Sequence, residues 1–463
     1  MHRFLPATIV ALAACGGTPA PASSPAAAAI PQLVIQPAAP VVADQLTEIT
    51  LRGVTPGAIV DIVAERPVSA SAMLGGKRQL YRAQASFRVG ATGTVALAHA
   101  APLTGSYQGA DLRGLFWSMA ASDAAIPDGW PDTQVHLAAS QAGHELARAM
   151  LEIRSSNPDV VVTPVGGELP GAILARLPGE QRRPAIIALG GSEGGDSFAR
   201  TMAPRLASLG YAVLGLPYYA PAFGGPARAD LAGLPAAFTD IPVDRLEQAR
   251  AWLRRQPGVD ADHLALYGGS KGAEFALIAA TRFPWVTAVV AIVPSDVVWE
   301  GWGVADAKPG TRSSFAWRGE PLAFVPYHDI AGEIAHAQTG QHVNLRRVQD
   351  QGRAEHPEAV AGARIPIERF RGALLVAGGG ADQVWASGEM ANNIAHTRSA
   401  AGLATTALIY PGAGHVLSGD GWAPTTGVEH AVFEIGGTAE ANARAQAAAW
   451  RETVAFLARS LGK

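Results

Sequence analysis

From about residue 160 to the C-terminus, short uninterrupted apolar runs alternate with amphipathic stretches. The runs cover 185–189, 212–216, 264–267, 288–293, 373–377 and 406–410. Strands of a parallel sheet buried on both faces read in this way, because neither face offers a polar alternation. The stretches 244–255 and 271–282 carry helical periodicity, and 439–461 reads as a long Ala-rich closing helix. The pattern predicts an α/β domain with a central, mostly parallel sheet. At about 297–365 the alternation breaks, and Trp299, Trp302, Trp317, Phe324 and Tyr327 lie in an irregular setting. A long insertion between sheet strands is uncommon unless it is functional, so a cap over a site is expected there.

Upstream, from about 32 to 121, the period changes to two. Strands are expected at 33–35, 48–52, 59–64, 81–89 and 94–97, with Gly53-Val54-Thr55-Pro56-Gly57 as a turn between the second and third. Closely spaced short strands predict a small β-sandwich. The stretch 135–154 reads as a strand or helix crossing into the next domain. The expected organisation is a sandwich at 32–150 followed by the α/β domain at 151–463.

The first residues follow a different logic. Met1-His2-Arg3 is a positive head, 4–11 a short apolar run, and Leu12-Ala13-Ala14-Cys15 has the form of a bacterial lipobox. The apolar run is too short to span a bilayer, which takes about 20 helical residues. This predicts a signal peptide at 1–15, lipidation of Cys15, and attachment to the cell envelope by that lipid alone. The uncharged Ala/Pro/Ser/Gly-rich stretch 16–31 suits a flexible tether. Cys15 is the one cysteine in 463 residues, so the chain can form no internal disulfide. A net charge of −3 without a long basic run argues against nucleic-acid binding. None of the 12 histidines falls in a metal-binding spacing, and no metal or cofactor is expected.

The chemistry gathers at strand ends. In Leu266-Tyr267-Gly268-Gly269-Ser270-Lys271-Gly272 an apolar run enters G-x-S-x-G and a helical pattern follows, the context of a nucleophile elbow at Ser270. A serine hydroxyl needs a base to take its proton, and the base needs an orienting carboxylate. In the hydrolase order Ser…Asp…His, Asp382 follows the run at 373–377 and His415 follows the run at 406–410. Asp296 and Asp420 are rival acids. For the oxyanion, the Lys271 backbone N–H at a helix N-terminus is one expected donor. Gly191 or Ser192, in Gly190-Gly191-Ser192-Glu193-Gly194-Gly195, is the other. That loop lacks the G-K-[ST] ending of a phosphate loop. The Lys271 side chain is expected to be solvated and without a catalytic role.

Several stretches then resemble one family, the acyl-CoA thioesterases together with bile acid-CoA:amino acid N-acyltransferase. Gly105-Ser106-Tyr107-Gln108-Gly109 through Gly114-Leu115-Phe116-Trp117-Ser118-Met119 is similar to its S-Y-x-G…G-L-x-W-S-M signature. Leu51 to Gly57 resembles its early G-L-x-P-G turn. Ile365-Pro366-Ile367-Glu368, Asp382-Gln383-Val384-Trp385-Ala386-Ser387 and Tyr410-Pro411-Gly412-Ala413-Gly414-His415 match its I-P-x-E, D-x-x-W-x-S and Y-P-G-A-G-H stretches. The resemblance implies an immunoglobulin-like N-terminal domain, an α/β-hydrolase domain, and the triad Ser270, Asp382 and His415. It implies hydrolysis of fatty acyl-CoA through an acyl-enzyme, because acyltransferase members carry cysteine at the elbow. Export conflicts with an intracellular acyl-CoA substrate, so an exported carboxylesterase with the same triad is the alternative, and a CoA-dependent N-acyltransferase a more distant one.

Overall fold

The apolar runs of the C-terminal part assemble into one eight-stranded sheet. The computed structural model describes Met1 and residues 30–38, 41–42, 45–69, 77–221, 229–304, 308–427 and 432–462. The sheet strands are β1 (Val161–Pro164), β2 (Ile173–Arg176), β3 (Arg183–Leu189), β4 (Ala212–Gly215), β5 (Val259–Gly269), β6 (Val286–Ile292), β7 (Ala373–Gly379) and β8 (Thr406–Tyr410). Their order is β1-β2-β4-β3-β5-β6-β7-β8. β1–β2 and β2–β4 are antiparallel and every other pair is parallel, with Ile187 opposite Leu266 and Leu266 opposite Val289.

Both faces of this sheet are covered, which is why its strands read as unbroken apolar runs. Ile187, Leu266, Val289 and Leu374 point to one core, shared with α2 (Arg245–Arg254), α3 (Lys271–Ala280) and α5 (Ser387–Ala400). Ile186, Ala265, Val290 and Leu375 point to the other, against α1 (Ser197–Ala207) and α6 (Ala439–Leu461). The chain leaves β3 toward β4 and then returns to β5 on the opposite side of β3. Strand order reverses there, and the crevice beyond the strands' carboxyl ends is where open α/β sheets place their sites. This is an α/β-hydrolase fold.

The N-terminal part is an immunoglobulin-like β-sandwich. One sheet holds Gln32–Gln36, Glu48–Arg52 and Thr94–Ala96; the other is built mainly from Ile59–Ser69, Arg78–Arg88, Gln134–Gln141 and His144–Arg154. Ile49, Leu51, Val60, Ile62, Ala85, Phe87, Val135 and Leu137 alternate inward to form its core. The stretch 135–154 is not a crossing element but a hairpin. Its two-residue turn takes positive φ at Ala142 (47°) and Gly143 (79°), the geometry that matches the twist of paired strands. The sandwich therefore runs to Arg154, past the boundary expected at 150.

The two parts meet through the G-L-x-W-S-M stretch. Phe116 packs edge-on to Trp422 at 5.1 Å, and the Arg113 guanidinium lies 4.8 Å over the same indole. The Thr425 N–H donates to the Trp117 carbonyl at 3.1 Å, and the Thr426 hydroxyl to that of Met119. The loop after His415 is thus docked on the sandwich. The insertion between β6 and β7 contributes Phe315–Trp317 and Glu320–Pro321 to a small sheet with Ile241–Pro242, then helices Ile330–Ala335, α4 (Leu345–Glu355) and Pro357–Ala363. Cys15, the leader beyond Met1 and nearly all of the tether lie outside the described residues. Among the described residues no helix is long and apolar enough to cross a membrane.

Trp422 is 2% exposed and belongs to the sandwich core. Trp422→Ala is expected to lower the unfolding free energy by about 3–5 kcal/mol, read by chemical denaturation, with Trp422→Phe close to wild type.

Candidate active site

β5 ends in a turn that the sequence makes tight enough to expose one side chain. Ser270 sits at φ 55°, ψ −122°, a conformation that a non-glycine residue holds only when its surroundings fix it. Its N–H donates to the Ile292 carbonyl at 2.9 Å, and its carbonyl accepts from Ala273 at 2.8 Å. The flanking glycines are required by contact. A Cβ on Gly268 would lie 2.2 Å from the Gly272 carbonyl oxygen, and one on Gly272 2.3 Å from the carbonyls of Leu189 and Gly190.

Two further loops converge on Ser270. Beyond β7, the fully buried Asp382 turns its carboxylate onto the backbone ahead of it, with Oδ1 accepting from Val384 N–H (2.8 Å) and Trp385 N–H (3.2 Å). Oδ2 accepts from the Ser387 hydroxyl at 2.5 Å and faces His415 Nδ1 at 2.8 Å. Beyond β8, His415 is held by its N–H on the Ile435 carbonyl (2.8 Å), and the preceding Gly414 N–H donates to Asn442 Oδ1 (2.7 Å). His415 Nε2 lies 2.9 Å from Ser270 Oγ. An ionised carboxylate can only accept, so the imidazole carries its proton on Nδ1 and presents a bare Nε2 to the serine hydroxyl.

The rival acids are engaged elsewhere. Asp296 pairs with Arg353 (2.8 Å) and accepts from Asn393 (2.8 Å). Asp420 pairs with the buried Arg205 at 2.6 Å and caps the Trp422 N–H. Sequence order sets Asp420 apart, since it follows His415, but leaves Asp296 open as a rival to Asp382. The supports Ser387 and Asn442 went unread too; the first lies within the D-x-x-W-x-S stretch.

The expected oxyanion donors fare differently. The Lys271 backbone N–H opens α3 directly after Ser270. Gly191 lies against the serine, a Cβ there being 3.2 Å from Ser270 Cβ, but its N–H donates to Glu193 Oε1 at 2.9 Å. Ser192 is half-buried between the two. Glu193 itself was not foreseen. Burial pushes its carboxyl up, opposed by the Glu193 and Gly191 amides and by His415.

The Lys271 side chain is not solvated. It is buried, donating to Glu274 Oε2 (2.7 Å) and Ser314 Oγ (2.9 Å), with its ammonium 5.3–5.5 Å from the rings of Phe238, Trp302 and Phe315. Glu274, fully buried, also accepts from the Trp299 N–H at 3.1 Å. Burial lowers the Lys271 ammonium and raises the Glu274 carboxyl, each opposed by the other's charge. The pair ties the helix that follows Ser270 to the insertion. Arg346 of α4 adds a second tie, donating to the Asp382 carbonyl at 3.1 Å. Among the described residues no cluster of His, Cys, Asp or Glu could hold a metal ion.

Breaking the buried pair from one side strands a charge. Glu274→Ala is expected to cost about 3–5 kcal/mol of stability, whereas Lys271→Met with Glu274→Leu recovers most of it, as measured by urea unfolding.

Comparison with known proteins accords with this geometry. Residues 44–165 match the model of the acyl-CoA thioester hydrolase/BAAT N-terminal region, and residues 241–463 that of the BAAT/acyl-CoA thioester hydrolase C-terminal region. Among curated proteins the chain is similar to mouse (Mus musculus) acyl-coenzyme A thioesterase 6, at 28% identity covering 93% of this chain and 96% of that one. It is equally similar to rat (Rattus norvegicus) acyl-coenzyme A thioesterase 1, at 28% identity over 93% and 97%. Mouse peroxisomal succinyl-coenzyme A thioesterase matches at 28% over 90% and 94%. With both family models in register along it, the chain belongs to the acyl-CoA thioester hydrolase/bile acid-CoA:amino acid N-acyltransferase family.

Proposed function

We propose that this hydrolase cleaves fatty acyl-CoA to the free acid and CoA through an acyl-enzyme on Ser270. The observation that carries the reading is the unbroken hydrogen-bond chain Asp382–His415–Ser270 on a strained elbow. His415 Nε2 takes the Ser270 proton as Oγ attacks the thioester carbonyl. Asp382, acceptor-only and buried, holds the imidazole tautomer and stabilises the imidazolium. The tetrahedral oxyanion is met by the Lys271 N–H and by an amide of the 190–195 loop. Collapse breaks the C–S bond, and the imidazolium gives its proton to the departing CoA thiolate. Water, deprotonated by the same imidazole, attacks the acyl-enzyme and releases the fatty acid with Ser270 restored. Serine at the elbow, in place of the cysteine of acyltransferase members, favours water as acceptor over an amine.

A second reading rests on Leu12-Ala13-Ala14-Cys15. If Cys15 is lipidated and the domain faces the cell envelope, the same three residues act on an oxygen ester, since CoA esters are scarce outside the cytoplasm.

Ser270→Ala is expected to lower kcat on palmitoyl-CoA by roughly 10⁴-fold or more and to abolish labelling by a serine-reactive phosphonate; retained turnover contradicts the mechanism. A kcat/KM for p-nitrophenyl esters far above that for palmitoyl-CoA selects the oxygen-ester reading. Metabolic palmitate labelling of wild type but not Cys15→Ser is expected for the anchored form, and equal labelling of both contradicts it.

A further inference from the structure

The loop after β3 should offer the developing oxyanion a bare amide, yet it already holds an anion of its own. In Gly190 to Gly195 the Gly194 and Gly195 amides are spent on the carbonyls of Gly191 (3.4 Å) and Tyr219 (2.8 Å), while the Gly191 N–H, beside Ser270, is turned to a carboxylate. That carboxylate is Glu193. Oε1 accepts from the Gly191 N–H at 2.9 Å, and the carboxyl also takes the Glu193 N–H. The fit is close. A Cβ on Gly190 would lie 2.7 Å from Glu193 Oε1, and one on Gly191 2.7 Å from Oε2. The same position on Gly191 is 3.2 Å from Ser270 Cβ, so the carboxyl stands beside the nucleophile. Tyr218 closes the far side of the loop by donating to the Gly190 carbonyl at 2.6 Å.

We propose that Glu193 is a built-in occupant of the oxyanion-binding loop, holding the Gly191 N–H in the free enzyme until an acyl carbonyl oxygen displaces it. The proposal rests on Ser270 being the nucleophile. Three features make the exchange feasible. The residue is not fully enclosed and keeps some contact with solvent. Its bonds in the loop are to backbone amides rather than to a guanidinium or ammonium, so leaving strands no buried cation. Desolvation in the loop already raises its carboxyl, which means that release into water recovers hydration lost on folding. The incoming carbonyl gains charge only as Ser270 attacks. The amide then exchanges one anionic acceptor for another at the moment of reaction rather than before it. Until that moment the Gly191 N–H is not open to water.

Glu193 acts on the reaction by holding an amide, so it is a positioning residue, and its test has to see the amide change partner. The crystal structure of the wild-type enzyme inactivated by an alkyl fluorophosphonate provides this. The expected result is a phosphonyl oxygen accepting from Gly191 N and Lys271 N, with the Glu193 side chain turned out of the loop. A phosphonyl oxygen bound while Glu193 Oε1 remains on Gly191 N overturns the proposal. Absence of any adduct on Ser270 would instead sink the nucleophile assignment beneath it. In parallel, Glu193→Gln removes the charge and keeps the shape. Its second-order phosphonylation rate is expected to rise by roughly tenfold, the difference between a charge-assisted and a neutral acceptor on one amide. An unchanged or lower rate in Glu193→Gln that retains the wild-type melting temperature contradicts displacement.

Discussion

Everything at the site follows from the backbone of Ser270 being forced to positive φ. That conformation is stable only because strand and helix approach without side chains at Gly268 and Gly272, and because the Ile292 carbonyl fixes the Ser270 N–H. It brings the hydroxyl to the crevice at the carboxyl edge of β5, next to the loop leaving β3 where strand order reverses. The two loops beyond β7 and β8 must then reach the same point. They do so by near-contact of backbones, a Cβ on Gly379 falling 2.3 Å from the Gly414 carbonyl oxygen. Glycine spacing, rather than any single polar contact, sets the geometry in which Asp382, His415 and Ser270 can bond in series.

Around that centre the protein uses buried charge as a fastener. Lys271–Glu274 links the elbow helix to Trp299 and Ser314 of the insertion, and Arg205–Asp420 links α1 to the loop carrying His415. Such pairs add little net stability over apolar packing, but a half-pair is costly, so they define one arrangement of the parts. The sandwich joins the same scheme. Its Trp117 and Met119 carbonyls anchor Thr425 and Thr426 on the loop that follows His415. The N-terminal signature and the loop after His415 are therefore two sides of one interface, which gives a physical reason for their occurring in one chain.

Much of this was legible from residues alone. β8 and the closing helix fell where the periodicity put them, and Ser270, Asp382 and His415 were marked by glycine-rich strand ends in hydrolase order. What escaped reading depended on contacts between distant segments. Lys271 looked like a surface lysine because nothing local reveals that Glu274, Ser314 and three aromatic rings enclose it. The hairpin at Gln134–Gln141 and His144–Arg154 lacked the usual Asn-Gly turn, carrying Ala142-Gly143 instead, and so blurred into a crossing element. β1 and β2 were passed over because they are short and not uniformly apolar: β1 is an exposed edge strand carrying Thr163 and Pro164, and β2 ends in Arg176. Glu193 was given no role, because its fold-back onto Gly191 is a tertiary fact.

The central claim is a covalent acyl group on Ser270, and rapid acid quenching during turnover of radiolabelled palmitoyl-CoA tests it most directly. Peptide mapping of the quenched enzyme is expected to place one palmitoyl ester on the peptide containing Ser270, formed and lost at rates compatible with kcat. Steady turnover with no label on that peptide, or label on a different residue, would contradict the account.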